Sequence, residues 1–226
     1  MTLSFAELQR NALAHHDQVD IEDRMPTLAT NEELIARSDA NWLSLISRRV
    51  FRAGMKHSVI DARWPAFEEA FWQFDPKACQ LIDDDRFEQL MQDDRLIRHW
   101  GKMKTIPVNA LMVQQRSKQH GGFGRFIAEW PTDDIVGLWQ VLAKEGAHLG
   151  GDGAARLLRM AGKDTFVLSP DPLRVLVNAG IVTRKPTAKR DLQAVQDVFN
   201  DLAAESGWPL SHLSMLMALS IGPDDR

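Results

Sequence analysis

Apolar positions recur at three- and four-residue spacing along almost the whole chain, and β-branched runs are too short to read as strands, so the pattern predicts an all-α fold. Thr30-Asn31-Glu32-Glu33 has the form of a capping box, and Leu34, Ile35, Trp42, Leu43, Leu45 and Ile46 continue it as one helix running towards Phe51. Asp75-Pro76 and Ser169-Pro170 each place a capping residue before a proline at the first helical position, which predicts two short helices. Between these points the pattern predicts a helix over 84–92 and a longer one from Gly101 to Gln119 that Pro107 kinks or interrupts and Gly121-Gly122 ends. Thr132 can cap a helix carrying Ile135, Leu138, Trp139 and Leu142, and two further helices are expected over 189–204 and 210–219. The polar residues 1–30 read as an N-terminal arm ahead of a single helical domain over 31–226.

Composition adds limits. A chain of 226 residues that is 44% hydrophobic can bury a substantial core. Its one cysteine, Cys79, excludes an internal disulfide and any four-cysteine metal site. No segment approaches the roughly 20 apolar residues of a membrane helix, and the N-terminus has no basic leader, so a soluble, cytoplasmic monomer is expected. The net charge of -4 hides an uneven distribution. From Arg95 to Ala128 there is no acid, while Arg95, Arg98, Lys102, Lys104, Arg116, Lys118 and Arg125 are basic, and a second basic run holds Arg184, Lys185, Lys189 and Arg190. These runs read either as a basic face suited to phosphates or as solvated helix surface. Walker, His-Glu-x-x-His, nucleophile-elbow and dinucleotide-binding signatures are absent.

The stretch from Phe71 to Ala110, opening Phe-Trp-Gln-Phe-Asp-Pro and passing through Asp83-Asp84-Asp85-Arg86-Phe87 and Leu96-Ile97-Arg98-His99-Trp100-Gly101-Lys102, resembles the middle of the DNA-3-methyladenine glycosylase I family. Downstream, Leu149-Gly150-Gly151-Asp152-Gly153 resembles the hairpin turn of the wider helix-hairpin-helix, endonuclease III-like glycosylases. The resemblance covers roughly Arg48 to Val182. It implies a helix-hairpin-helix glycosylase fold with two helical lobes and a cleft between them, and a partner in double-stranded DNA containing damaged bases. It also implies that Leu149, Gly150, Gly151 and Gly153 grip the DNA backbone, since glycines permit positive φ and the next helix then directs free N–H groups at a phosphate. Lys102, Lys104 and Trp100 are the further DNA-side candidates, and Trp42 is a pocket candidate.

Several of the family's working positions are changed. The superfamily's catalytic aspartate, counted back from Arg174-Val175, falls on Ser169, with Asp171 two residues later as a displaced candidate or as an acid that simply suits the first turn of a helix. The lysine of the strand-cleaving members falls on Ala155, so a monofunctional enzyme with water as nucleophile is expected. The glutamate and tryptophan that line the family's base pocket fall on Arg49 and His57. A cation at Arg49 would oppose a cationic N3-alkylated base by about 4 kcal/mol at 4 Å and an effective dielectric of 20. The family's zinc site does not carry over, because His16 occupies one ligand position while Lys185 and Lys189 occupy others, so neither metal nor cofactor is expected.

Three readings follow. The first is a base-excision repair glycosylase that hydrolyses the N-glycosidic bond of alkylated bases such as 3-methyladenine. The alternative is an inactive or altered-specificity relative that binds DNA as a lesion sensor or recruiting module. A helical scaffold without DNA affinity is a third.

Overall fold

The computed structural model describes residues 3–222, and every regular element among them is helical. In chain order the helices are α1 (Phe5–Leu13), α2 (Gln18–Asp23), α3 (Asn31–Ala36), α4 (Asp39–Arg52), α5 (His57–Ala70), α6 (Pro76–Gln80), α7 (Asp84–Gln92) and α8 (Trp100–Met103). There follow α9 (Thr105–His120), α10 (Phe123–Ala128), α11 (Ile135–Glu145), α12 (Gly153–Ala161), α13 (Pro170–Asn178), α14 (Lys189–Ser206) and α15 (Leu210–Leu219). None is long and apolar enough to cross a membrane.

Short polar side chains set where many helices begin. Ser4, Asp17, Thr30, Ser38, Asp75 and Asp83 each accept a hydrogen bond from the backbone N–H three residues on, and Thr30 and Glu33 complete a reciprocal capping box. Gly121 and Gly207, both left-handed, stop α9 and α14. Two expected helices are each divided. The one read from Thr30 to Phe51 breaks at Arg37, because Ser38 caps a second start. The one read from Gly101 to Gln119 breaks at Lys104, which places Pro107 in the first turn of α9, where backbone N–H groups have no intrahelical acceptor to lose. Thr132 opens a 3₁₀ turn ahead of α11.

The chain divides into two units, one made of residues up to Leu28, Pro131–Gly137 and Gly162 onward, the other of Ala29–Trp130 and Leu138–Ala161. In the first unit the residues expected as a polar arm form α1 and α2, and they bury Leu8, Ala12 and Ile21. Phe5 meets the Trp208 ring edge-on at 5.1 Å, and the Pro26 carbonyl lies 3.0 Å from His212 Nε2. The amphipathic spacing of Leu8 and Ala12 is what the overall polarity of the segment concealed.

The second unit is organised around α4, which packs on α5, α9 and α12. Trp72, Gln73 and Phe74 form a short turn with φ of 51°, 54° and 58°. Left-handed backbone costs a non-glycine residue about 1–2 kcal/mol. Here it turns Phe74 back onto a stack in which Trp64, Phe67, Phe71 and Phe74 lie near-parallel at centroid distances of 5.0 to 6.0 Å, so buried aromatic surface offsets the strain.

Candidate functional site

The turn between α11 and α12 lies wholly within the second unit. Asn109, fully buried in α9, holds its start: the Ala147 N–H donates to Asn109 Oδ1 at 2.8 Å and Asn109 Nδ2 donates to the Ala147 carbonyl at 3.3 Å. Gly146 makes that approach possible, since a Cβ there would sit 2.6 Å from Leu149 Cδ1 and 3.0 Å from Asn109 Oδ1. Leu149 is buried and anchors the turn. The N–H groups of Gly153 and Ala154 donate to the carbonyls of Gly150 and Leu149, both at 2.9 Å. Gly150 and Gly151 form the exposed tip, with open space where a Cβ would be, and Gly151 has φ of 57°. The four predicted hairpin residues therefore divide in role: Leu149 is the anchor, Gly153 the close packing point against the His148 carbonyl, and Gly150 and Gly151 the surface.

Beside this turn stands a group of cations on α4 and α12. Asp61 binds two of them, accepting from Arg48 Nε at 2.9 Å and from Arg52 Nε and Nη2 at 3.0 and 2.6 Å. The Arg52 hydrogen bond, then that of Arg48, holds the Asp61 carboxyl below its ordinary range. Arg52 Nη1 also donates to the Met160 sulfur at 3.1 Å. Arg156, one turn into α12, lies 4.0 Å from the Asp152 carboxylate. Arg49 is different. Its Nε is shut off from water without an acceptor, and the side chain makes no hydrogen bond or ion pair among the described residues. Burial, then the charges of Arg156 and Arg52, push its pKa down, and Asp152 only partly opposes them.

The basic stretch from Arg95 onward behaves otherwise. Arg95 binds Asp93 and Glu69, Lys104 binds Asp84, Arg116 binds Glu145 and Arg125 binds Glu129. Lys102, read as a DNA contact, is turned inward: its Nζ donates to the carbonyls of Phe51 and Ala53 at 3.1 and 2.5 Å and so closes the C-terminus of α4. It is 7% exposed because the last turn of α4 has carbonyls without intrahelical donors, and an ammonium satisfies them. Trp100 does stand at the surface, 42% exposed, edge-on to Phe87 and with Lys104 Nζ 4.7 Å from its ring centroid.

Trp42, the pocket candidate, is completely buried against Phe123, and a Cβ on Gly124 would meet its Nε1 at 3.0 Å. It is a core residue. His57 is exposed at the first position of α5. Asp171 lies half-buried in the first turn of α13 in the first unit, and Ser169 precedes it as the N-cap residue without a side-chain capping bond. Ala155 is buried in α12. His16 Nδ1 lies 2.7 Å from Asp20, which also accepts from Arg24. Sequence reading did not find Arg48, Arg52, Arg156 or the Asn109 clasp. The spacing of Arg48, Arg49 and Arg52 on one helix was a visible signal, whereas their nearness to α12 was not.

Residues 34–145 match the methyladenine glycosylase family. The family match ends four residues before Leu149, so the turn itself is reached only by structural likeness. A substituted 3-methyladenine DNA glycosylase I in complex with 3-methyladenine is 18% identical with a TM-score of 0.52, covering 67% of this chain and 90% of its own. The 8-oxoguanine glycosylase/lyase of Methanocaldococcus jannaschii, in complex with a 15mer DNA containing 8-oxoguanine, is 12% identical with a TM-score of 0.53 and covers 94% of each chain. The 8-oxoguanine DNA glycosylase of Thermotoga maritima is 14% identical with a TM-score of 0.53, covering 94% of this chain and 92% of its own. At these identities the likeness is one of fold, and the fold is the all-α one of helix-hairpin-helix DNA glycosylases.

Proposed function

We propose that this chain is a base-excision DNA glycosylase that grips duplex DNA through the Leu149–Gly153 turn and hydrolyses the N-glycosidic bond of a damaged base. The observation that carries the reading is the solvent-open Gly150-Gly151 tip leading into α12, in a chain whose central half belongs to the methyladenine glycosylases. Such a turn offers backbone N–H groups to a phosphate and fixes position without reading sequence. The base is extruded from the stack before reaction, which is least costly for a damaged one.

Alkylated bases such as 3-methyladenine are the family's expected substrates, because a base carrying positive charge leaves as a neutral molecule and needs little acid–base help. Water is the nucleophile and Asp171 the candidate to activate it. Ala155 offers no amine for strand cleavage, which supports a monofunctional reaction. Arg49 favours a second reading, in which the cationic base is refused and the protein either takes a different lesion or binds DNA without turnover.

The test is chromatographic measurement of free bases released from methylated duplex DNA by the purified protein and by Asp171→Asn, with DNA binding measured on the same samples. Release of 3-methyladenine, slowed on the order of 100-fold in the variant, is the expected result. Tight binding without release assigns the second reading, and absence of both sinks the proposal.

A further inference from the structure

We propose that Arg49, together with Arg156, binds an anionic oxygen of the nucleic acid beside the α11–α12 turn. The inference rests on the DNA-binding reading above and adds to it a ligand chemistry at a position where the family has a carboxylate.

Three observations carry it. First, Arg49 is a half-buried guanidinium that makes no hydrogen bond among the described residues, and its Nε is closed to water. Second, the nearby carboxylates are engaged: Asp61 is bound by Arg48 and Arg52, and Asp152 faces Arg156. Third, the surrounding charge is positive, with Arg52, Arg156 and Lys102 all close enough to act on or be acted on by Arg49, and Lys102 itself is committed to backbone carbonyls. A planar guanidinium with unused donors, repelled by its neighbours and beside an exposed glycine turn, is arranged for a ligand carrying negative charge.

The anionic oxygens of duplex DNA are those of the backbone phosphodiesters, whereas the carbonyl oxygens of the bases are neutral near pH 7. The experiment measures binding over a salt series for wild type, Arg49→Gln and Arg49→Lys, on an undamaged duplex and on the same duplex with one 8-oxoguanine. If the oxygen is a phosphate, Arg49→Gln makes the slope of log K against log salt shallower by about 0.9 on both duplexes, and Arg49→Lys keeps it. If Arg49→Gln leaves the undamaged duplex unchanged and loses affinity only for the 8-oxoguanine duplex, Arg49 contacts a neutral base oxygen and the inference is overturned.

Thermal unfolding separates a ligand role from a structural one. Arg49→Gln should unfold no earlier than wild type, since it removes a repelled charge, whereas a structural arginine would lower the midpoint when lost. Arg156→Gln, on the exposed face of α12, serves if the first variant does not fold, and is expected to show the same change in slope. Unchanged binding of both duplexes by Arg49→Gln overturns the inference while leaving the DNA-binding reading intact. Failure of the wild type to bind either duplex overturns both.

Discussion

The acid-free stretch from Arg95 to Ala128 and the α4–α12 corner are opposites in how sequence charge becomes surface charge. In the stretch, seven basic residues stand without an acid among them, yet in three dimensions Arg95, Lys104, Arg116 and Arg125 each meet a carboxylate and Lys102 is consumed by the end of α4. At the corner, Arg48, Arg49 and Arg52 occupy barely one turn of a helix, Arg156 arrives from a distant part of the chain, and among the described residues the carboxylates that answer them are Asp61 and Asp152. A run of like charge along a sequence is thus a poor measure of field, because partners come from anywhere in the fold. The informative cation at that corner is Arg49, with no hydrogen-bond partner among the described residues and incomplete access to water.

The comparison can be broken most severely at Lys102. If it is an internal cap rather than a DNA contact, Lys102→Met should cost about 2–3 kcal/mol of stability, read from urea unfolding, because two carbonyls lose charge-assisted hydrogen bonds. The folded variant should retain the wild-type salt slope for DNA. A stable variant with a shallower slope would restore the original reading of this lysine.

Asp61→Asn sharpens the other side. Both partners are partly exposed, so a loss near 1 kcal/mol is expected. Freed from Asp61, Arg48 and Arg52 should steepen the salt dependence of DNA binding. The folded carboxyl lies below its ordinary value of 3.8, so its contribution to stability is present above that value and fades as the pH falls below it through the folded pKa. Acid unfolding of Asp61→Asn should therefore be flatter than that of wild type below about pH 4. The smallest effect belongs to Lys104→Gln, which should stay within about 0.5 kcal/mol in stability and leave DNA binding unchanged, since Asp84 already neutralises this lysine at the surface.

Much of the fold was legible. The capping residues Thr30 and Asp75 and the stop at Gly121 act locally, so helix ends near them could be read from spacing alone. The glycine turn at 149–153 was legible only through its resemblance to the hairpin of the helix-hairpin-helix glycosylases, and the positive φ at Gly151 agrees with a glycine there. Less was visible where meaning depends on distant partners. Trp42 looked like a pocket aromatic, but Gly124 and Phe123 close over it. The N-terminal residues looked like an arm, but Leu8 and Ile21 find a core shared with the C-terminal helices.

The sequence by itself determined the helical class, the positions of most helix ends, the glycine turn and the match of residues 34–145 to the methyladenine glycosylase family, because each follows from local backbone preference or from residue order. Only the tertiary structure decided which charges are neutralised, which aromatics are core and that Arg49 has no hydrogen-bond partner among the described residues, because burial and Coulomb interactions depend on distance in space and not along the chain.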